Sequence, residues 1–362
     1  MGETFPHIFA APGTYVQGAG ALAAIGPHLA RLGKRAIGVV DPVVRGQVEP
    51  ALSAACQSEN IAWRIEPFPG ECTEAALDWL VAAVRDWRPE MAIAAGGGKA
   101  LDTGKLLAEA LGIPAVMAPT IASTDAPTSR VAVLYNDDHA QVRVVRLRAN
   151  PALVLVDTAI IAKAPIRFLV AGMGDALATW PEARTCAANA GRTPVGGRPS
   201  SAALALAELC YRTVLAQGRR AQEDAAAGRV TAAVEAVVEA NILLSGLGFE
   251  SGGLAAAHSL YAGLSVLSAG AAYLHGEKVA FGVLVQAALE EWPAKDCNEL
   301  RDFYHDVGLP STLTELGLGG ATAADLRRVA EVACRPGSHM HNLGRPVSAE
   351  KLISVLEGLR GS

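Results

Sequence analysis

Three residues in the second half of the chain have the right types to share a metal ion. Asp175 lies in Gly172-Met173-Gly174-Asp175-Ala176-Leu177. His258 ends Gly252-Gly253-Leu254-Ala255-Ala256-Ala257-His258, and His275 lies in Tyr273-Leu274-His275-Gly276-Glu277-Lys278. Singly, each type is more often structural, but small residues around both histidines leave room for something bulky. An Asp/His/His set offers one oxygen and two nitrogens with positions left open, the pattern of a catalytic rather than a structural zinc site. An open ion can hold diol oxygens, lower the pKa of one hydroxyl and so favour hydride departure from that carbon. His258 and His275 are seventeen residues apart. On one continuous helix they would stand ~25 Å apart and could not share an ion. If both are ligands, the chain must turn between them, and Ser268-Ala269-Gly270 is where a turn is expected.

A second chemistry-bearing motif comes earlier. Gly96-Gly97-Gly98-Lys99 sits between an apolar strand pattern and a helical one. Glycines there let backbone N–H groups approach phosphate oxygens, the helix start adds partial positive charge, and Lys99 adds a full one. The alternative is a plain strand-to-helix turn, since the usual G-x-G-x-x-G fingerprint is absent. Asp102 falls one turn into that helix; it is counted with the cofactor loop, although favouring the helix dipole would also explain it. Asp41 ends an earlier strand, where a carboxylate can accept both ribose hydroxyls of an adenosine and would repel a 2′-phosphate. A turn or cap aspartate is the other reading. Pro119-Thr120-Ile121-Ala122-Ser123-Thr124-Asp125-Ala126-Pro127-Thr128-Ser129 then offers hydroxyls and one acid on a proline-bracketed loop, suited to a ligand crevice or to a polar connection.

The elements that must position these residues follow from patterning. Strand patterns at Arg35–Asp41, Ala62–Phe68, Met91–Ala95 and Pro114–Pro119 alternate with helical ones at Gln47–Cys56, Thr73–Trp87 and Lys99–Leu111. This order implies a parallel sheet covered by helices. Arg130–Tyr135 and Val142–Val145 flank Asn136-Asp137-Asp138 as a hairpin, and Pro151–Asp157 closes the strand-rich part. Helical patterns follow at Ile166–Ala178, Ala202–Leu215, Ala232–Leu244, Gly253–Ser265 and Glu277–Leu289, with Gly191–Pro199 expected as an exposed loop. The fold class expected is thus α/β plus all-α, with residues 1–160 forming one domain and residues 161–362 the other.

Bulk properties exclude several functions. The 362 residues carry a net charge of −5, with 51% hydrophobic and 19% charged residues. Nothing points to nucleic acid or an anionic membrane. The stretch from Ser251 to Gly276 lacks Asp, Glu, Lys and Arg. It is built largely of Ala, Gly and Ser and holds two histidines and two tyrosines, so buried helices are expected rather than a membrane span. The six cysteines form no CxxC pair, and Met1–Ala10 lacks the pattern of a signal peptide, so the cytoplasm is the default compartment.

Four stretches carry a family resemblance over nearly the whole length: Ala118–Pro127, Ala171–Thr179, Gly248–His258 and His275–Gly282. On these the chain resembles the glycerol dehydrogenase branch of the iron-containing alcohol dehydrogenase superfamily, whose fold is shared with dehydroquinate synthase. The resemblance implies a Rossmann-like N-terminal NAD-binding domain and a helical C-terminal metal domain. It implies Asp175, His258 and His275 as zinc ligands that also hold the substrate, and Asp125 as the acid orienting glycerol. Asp41, Gly97, Gly98, Lys99, Asp102, Thr120, Ser123, Ser129, Val131 and Tyr135 then form the cofactor set. The implied reaction is NAD-dependent oxidation of glycerol to dihydroxyacetone, hydride leaving from C2, within glycerol metabolism. A homo-oligomer, up to the family's octamer, is the implied assembly. Thr179 stands where the wider superfamily often has a further His, which argues for the three-ligand branch and against iron. Val131 replaces a common Leu. Pro181 stands where the family's helix usually continues, and it predicts a kink or a fresh helix start. The competing readings are a dehydroquinate-synthase-like lyase, a dehydrogenase of another small diol, and a non-catalytic NAD-binding paralogue.

Overall fold

The computed structural model describes residues 5–136 and 141–361. In it the chain builds two compact units.

The sheet unit comprises Ala11–Ile166 and Asp224–Leu243. Its strands are β1 (Tyr15–Gly18), β2 (Arg35–Val40), β3 (Ala62–Pro67), β4 (Met91–Gly96), β5 (Ala115–Pro119), β6 (Val131–Tyr135), β7 (Gln141–Arg146) and β8 (Leu153–Asp157). Six of them form a wholly parallel sheet in the order β1-β8-β5-β4-β2-β3. Side chains alternate across it: Ala36 and Val40 of β2 join Met91, Ile93 and Ala95 of β4 in one core, while Ile37, Val39 and Ala92 enter a second. Both faces are apolar because helices cover both, so the central strands read as unbroken hydrophobic runs. β6 and β7 pair separately as the expected antiparallel hairpin; Asp137 and Asp138 of its turn lie outside the described residues.

The helical unit takes the N-terminal chain up to Ala10, Arg167–Glu223, and everything from Leu244. Its helices include Ile166–Ala188, Ser201–Ala226, Ser245–Gly252, Ala256–Leu264, His275–Glu290, Ala294–Val307, Ala323–Ala333 and Ala349–Gly358. Leu260, Leu264, Phe281, Val285 and Leu289 centre its main core. Buried side chains of this size stabilise by about 1.5–3 kcal/mol each.

Several expectations change. The single boundary near residue 160 becomes four crossings between units. The helix Ala232–Glu239 is tied to the sheet: Gln17 Nε2 donates to Glu235 Oε2 at 2.7 Å, and Thr158 Oγ1 donates to Glu235 Oε1 at 2.6 Å. The pattern at Ala232–Leu244 is a helix that passes into a π-helical turn at Ala240–Leu244. The run Ala232–Gly252 is long and apolar enough to cross a membrane, but 72% of its apolar window is buried inside the protein. Gly191–Pro199 is not an exposed loop: Thr193, Pro194, Val195, Gly197 and Pro199 are buried. The N-terminal segment covers it, with the Arg198 N–H donating to Pro6 O and the Arg192 guanidinium lying over the Phe5 ring. The Pro181 helix neither restarts nor ends, and runs unbroken from Ile166 to Ala188.

Candidate metal centre and dinucleotide loops

Asp175, His258 and His275 come from three separate helices of the helical unit. Backbone packing brings them together. A Cβ on Gly276 would collide with the Ala171 carbonyl, and one on Gly174 would collide with the Gly276 carbonyl. Helices Ile166–Ala188 and His275–Glu290 therefore touch backbone to backbone, one turn from Asp175 and at His275 itself. Gly282 likewise packs on the backbone of Ala257, next to His258. Glu277 secures the helix start: it accepts the Leu274 N–H at 2.7 Å and pairs with both Nε and Nη2 of Arg167, at 2.6 and 2.7 Å. Between the histidines the chain turns through Ser268–Gly270, where the spacing required a turn. Helix Ala256–Leu264 starts three residues later than patterning suggests, because Gly253 takes φ +105 over the Cys186 side chain.

The ligand atoms of the three residues lie within 4.8 Å of one another. His275 Nε2 is 3.1 Å and His258 Nε2 3.4 Å from Asp175 Oδ1. The edge of a tetrahedron with zinc-like bonds is roughly 3.3 Å, so these separations suit donors around one small cation. Asp175 is wholly buried, and among the described residues its Oδ2 has no hydrogen-bond partner. A buried carboxylate oxygen left so is costly unless a cation completes it. The residues therefore fit a divalent metal. The histidine side chains are 15% and 28% exposed, which leaves the third side of the cluster open. Burial opposes charge on Asp175, yet the two imidazoles outweigh it and hold the carboxyl below its ordinary range. Burial also opposes charge on His258, but Glu182 and Asp175 push its pKa well up. Thr179 stands apart from the cluster, buried and hydrogen-bonded to Ser245 Oγ at 2.9 Å.

In the sheet unit the expected cofactor residues gather at the carboxyl ends of adjacent strands. Asp41 follows β2, Gly97 and Gly98 follow β4, and Thr120 follows β5, its N–H donating to Gly96 O. The chain leaves β2 for β3 on one side and returns to β4 on the other, so Asp41 and the glycines flank a topological switch point. Gly96 needs its φ of +150, and a Cβ there would press on Asp41 and Ala100. The fourteen-residue helix Gly98–Leu111 has no side-chain cap at its start, and a Cβ on Gly98 would make only an ordinary contact, 3.9 Å from Thr124 Oγ1. Lys99 lies 4.8 Å above the Tyr135 ring and pairs with Glu71 at 2.5 Å. Asp125 is buried at the head of the turn Ala126–Thr128, and Ser123 lies half-buried beside it.

Two of the expected cofactor residues have partners within the protein. Asp102 points inward, pairing with Lys105 at 2.9 Å and accepting the Val133 N–H at 3.0 Å. Val131 gives its carbonyl to Lys105, and its N–H meets Ser129 Oγ. Sequence reasoning missed Lys105, whose fully buried ammonium also donates to Ala126 O and reaches Ser129 O. It missed Asn241, which donates to Ala122 O, and Glu71. It also missed Glu182, buried beside His258, although a helix face repeats after seven residues and Glu182 is seven after Asp175. That spacing was the available signal.

Comparison with known proteins agrees with this architecture. The family profile "Iron-containing alcohol dehydrogenase" matches residues 12–158. The chain is 46% identical to a glycerol dehydrogenase of Thermotoga maritima over 348 residues, covering 96% of this chain and 94% of that protein. It is 44% identical to one of Pseudomonas putida over 345 residues, covering 95% and 94%. The crystal structure of glycerol dehydrogenase from Schizosaccharomyces pombe superposes with a TM-score of 0.94 at 34% identity, covering 99% of this chain and 91% of that one.

Proposed function

The chain belongs to the iron-containing alcohol dehydrogenase family and is an oxidoreductase, and from that premise we propose that it is an NAD-dependent glycerol dehydrogenase. The observation that carries the metal half of the reading is the partnerless Oδ2 of buried Asp175 beside two imidazoles. Asp175, His258 and His275 would hold the ion, zinc in this reading, because Thr179 adds no fourth nitrogen. When bound, the ion supplies a Lewis acid for a substrate hydroxyl, and NAD supplies the acceptor for a hydride from C2 of glycerol, giving dihydroxyacetone.

The chain's own groups do the rest. Asp175 sets a fixed negative charge below the site, and the open histidine side admits the substrate oxygens. Asp125 orients glycerol. The uncapped N–H groups at Gly97 and Gly98 cradle a pyrophosphate, aided by Lys99, Thr120 and Ser123. Asp41 accepts ribose hydroxyls and disfavours NADP. Ser129, Val131 and Tyr135 line the same loops, whereas Asp102 supports them from inside. Among the described residues the six cysteines form no disulfide, which suits a reducing compartment, the cytoplasm in this reading; a homo-oligomer is the assembly proposed.

The test is NAD reduction with glycerol, 1,2-propanediol and glycerol phosphate, before and after exhaustive chelation. Glycerol turnover should fall more than about a thousandfold on metal removal, since such an ion supplies several kcal/mol, and return with stoichiometric Zn²⁺. Undiminished activity in the stripped enzyme sinks the metal mechanism. Faster turnover of glycerol phosphate sinks the substrate.

A further inference from the structure

We propose that Glu182 is the positioning residue of the metal centre: its carboxylate decides which nitrogen of His258 is offered to a cation. The inference rests on the metal reading above. Asp175 and Glu182 share one face of the helix Ile166–Ala188, two turns or about 10.5 Å apart along its axis. No part of the Glu182 side chain meets solvent. Its Oε1 accepts the N–H of Ala255 at 2.8 Å and the N–H of His258 at 3.0 Å. Its Oε2 meets Nδ1 of the same His258 at 2.5 Å. One carboxylate thus holds both the backbone and the ring of a single residue.

An ionised carboxylate only accepts hydrogen bonds. A neutral imidazole facing it keeps its proton on Nδ1, which leaves the lone pair on Nε2, on the Asp175 side. Metal-binding histidines are generally oriented in this way by a partner on the other nitrogen.

The isosteric change Glu182→Gln exposes the role because it offers one acceptor and one donor. The two backbone N–H groups cannot invert, so they claim the amide oxygen. The amide NH₂ then faces Nδ1 and donates to it. The imidazole proton is driven to Nε2, the atom a cation needs. Volume is unchanged while the tautomer reverses.

The experiment measures Zn²⁺ affinity by competition with a chromophoric chelator, using full-length wild type, E182Q and H258A. The crystal structure of zinc-loaded wild type accompanies it. Expected are one tight zinc in wild type, loss of it in H258A, and binding about 10–100-fold weaker in E182Q, with zinc on His258 Nε2. E182Q binding zinc within twofold of wild type overturns the Glu182 role and leaves the metal reading standing. Zinc on Nδ1 of His258 in wild type also overturns it, with no variant needed. Wild type without zinc affinity overturns the metal reading itself, and Glu182's role with it.

Discussion

In the sheet unit an irregular loop, residues 120–129, is held by side chains that reach its backbone. In the helical unit three regular helices are held together by missing side chains. Lys105 and Asn241 do the first job, Asn241 donating to Ala122 O and Lys105 to the Ala126 carbonyl, while Thr128 Oγ1 of the loop itself reaches out to Ile242 O. Gly174, Gly276 and Gly282 do the second. The difference has a cause. A loop has carbonyls with no regular partner, and burying them demands donors. Helices satisfy their own backbones, so they need only close approach to present side chains across a gap.

The largest effect should come from breaking the polar clamp. Lys105→Met leaves Asp102 buried without its counter-charge, a loss of about 3–5 kcal/mol. Urea unfolding would measure it, and adding Asp102→Asn should restore part of the stability. A single variant as stable as wild type would mean that the clamp is incidental.

Breaking the steric contact comes next. Gly276→Ala forces a methyl onto the Ala171 carbonyl, costing about 1–3 kcal/mol by overpacking. Because the same contact brings His275 to Asp175, zinc affinity should fall together with the metal-free melting temperature. Melting lowered at constant zinc affinity would separate packing from the site and end the argument for glycine-built convergence.

Smallest in stability is Gly98→Ala, which belongs to neither mode. Its methyl makes only an ordinary contact, with Thr124 Oγ1, so unfolding should shift by no more than about 0.5 kcal/mol. NAD affinity, followed by fluorescence titration, should nevertheless drop, because the methyl stands where a phosphate would approach. Unchanged NAD affinity would falsify the phosphate role of this loop.

These two modes also explain what sequence could reveal. β2 and β4 are legible because strands buried on both faces are apolar throughout. β1 is not: Tyr15-Val16-Gln17-Gly18 is short and half-buried at the sheet's edge, with half its residues polar. The amphipathic helices Ala294–Val307, Ala323–Ala333 and Ala349–Gly358 go unassigned from sequence, although the last two complete the core around Leu326 and Leu352. Asp175, His258 and His275 stand out by type, and the turn between the histidines follows from helix rise alone. The residues behind them do not stand out. Lys105 and Asp102 look like an ordinary exposed i,i+3 pair until tertiary packing buries them. Gly191–Pro199 has the composition of a surface loop, and residues 5–8 and Asn342, far away in sequence, cover it.

The segment Asp224–Leu243 also sets an order of events in the cell. A ribosome finishes β8 long before it delivers Asn241 and Ile242. Until then the Thr120–Ser129 loop has its Lys105 clamp without its Asn241 one, and Gln17 and Thr158 lack Glu235. Pairings this distant in sequence close slowly and leave sticky intermediates. The loop that carries Asp125 is thus among the last parts of the sheet unit to be completed.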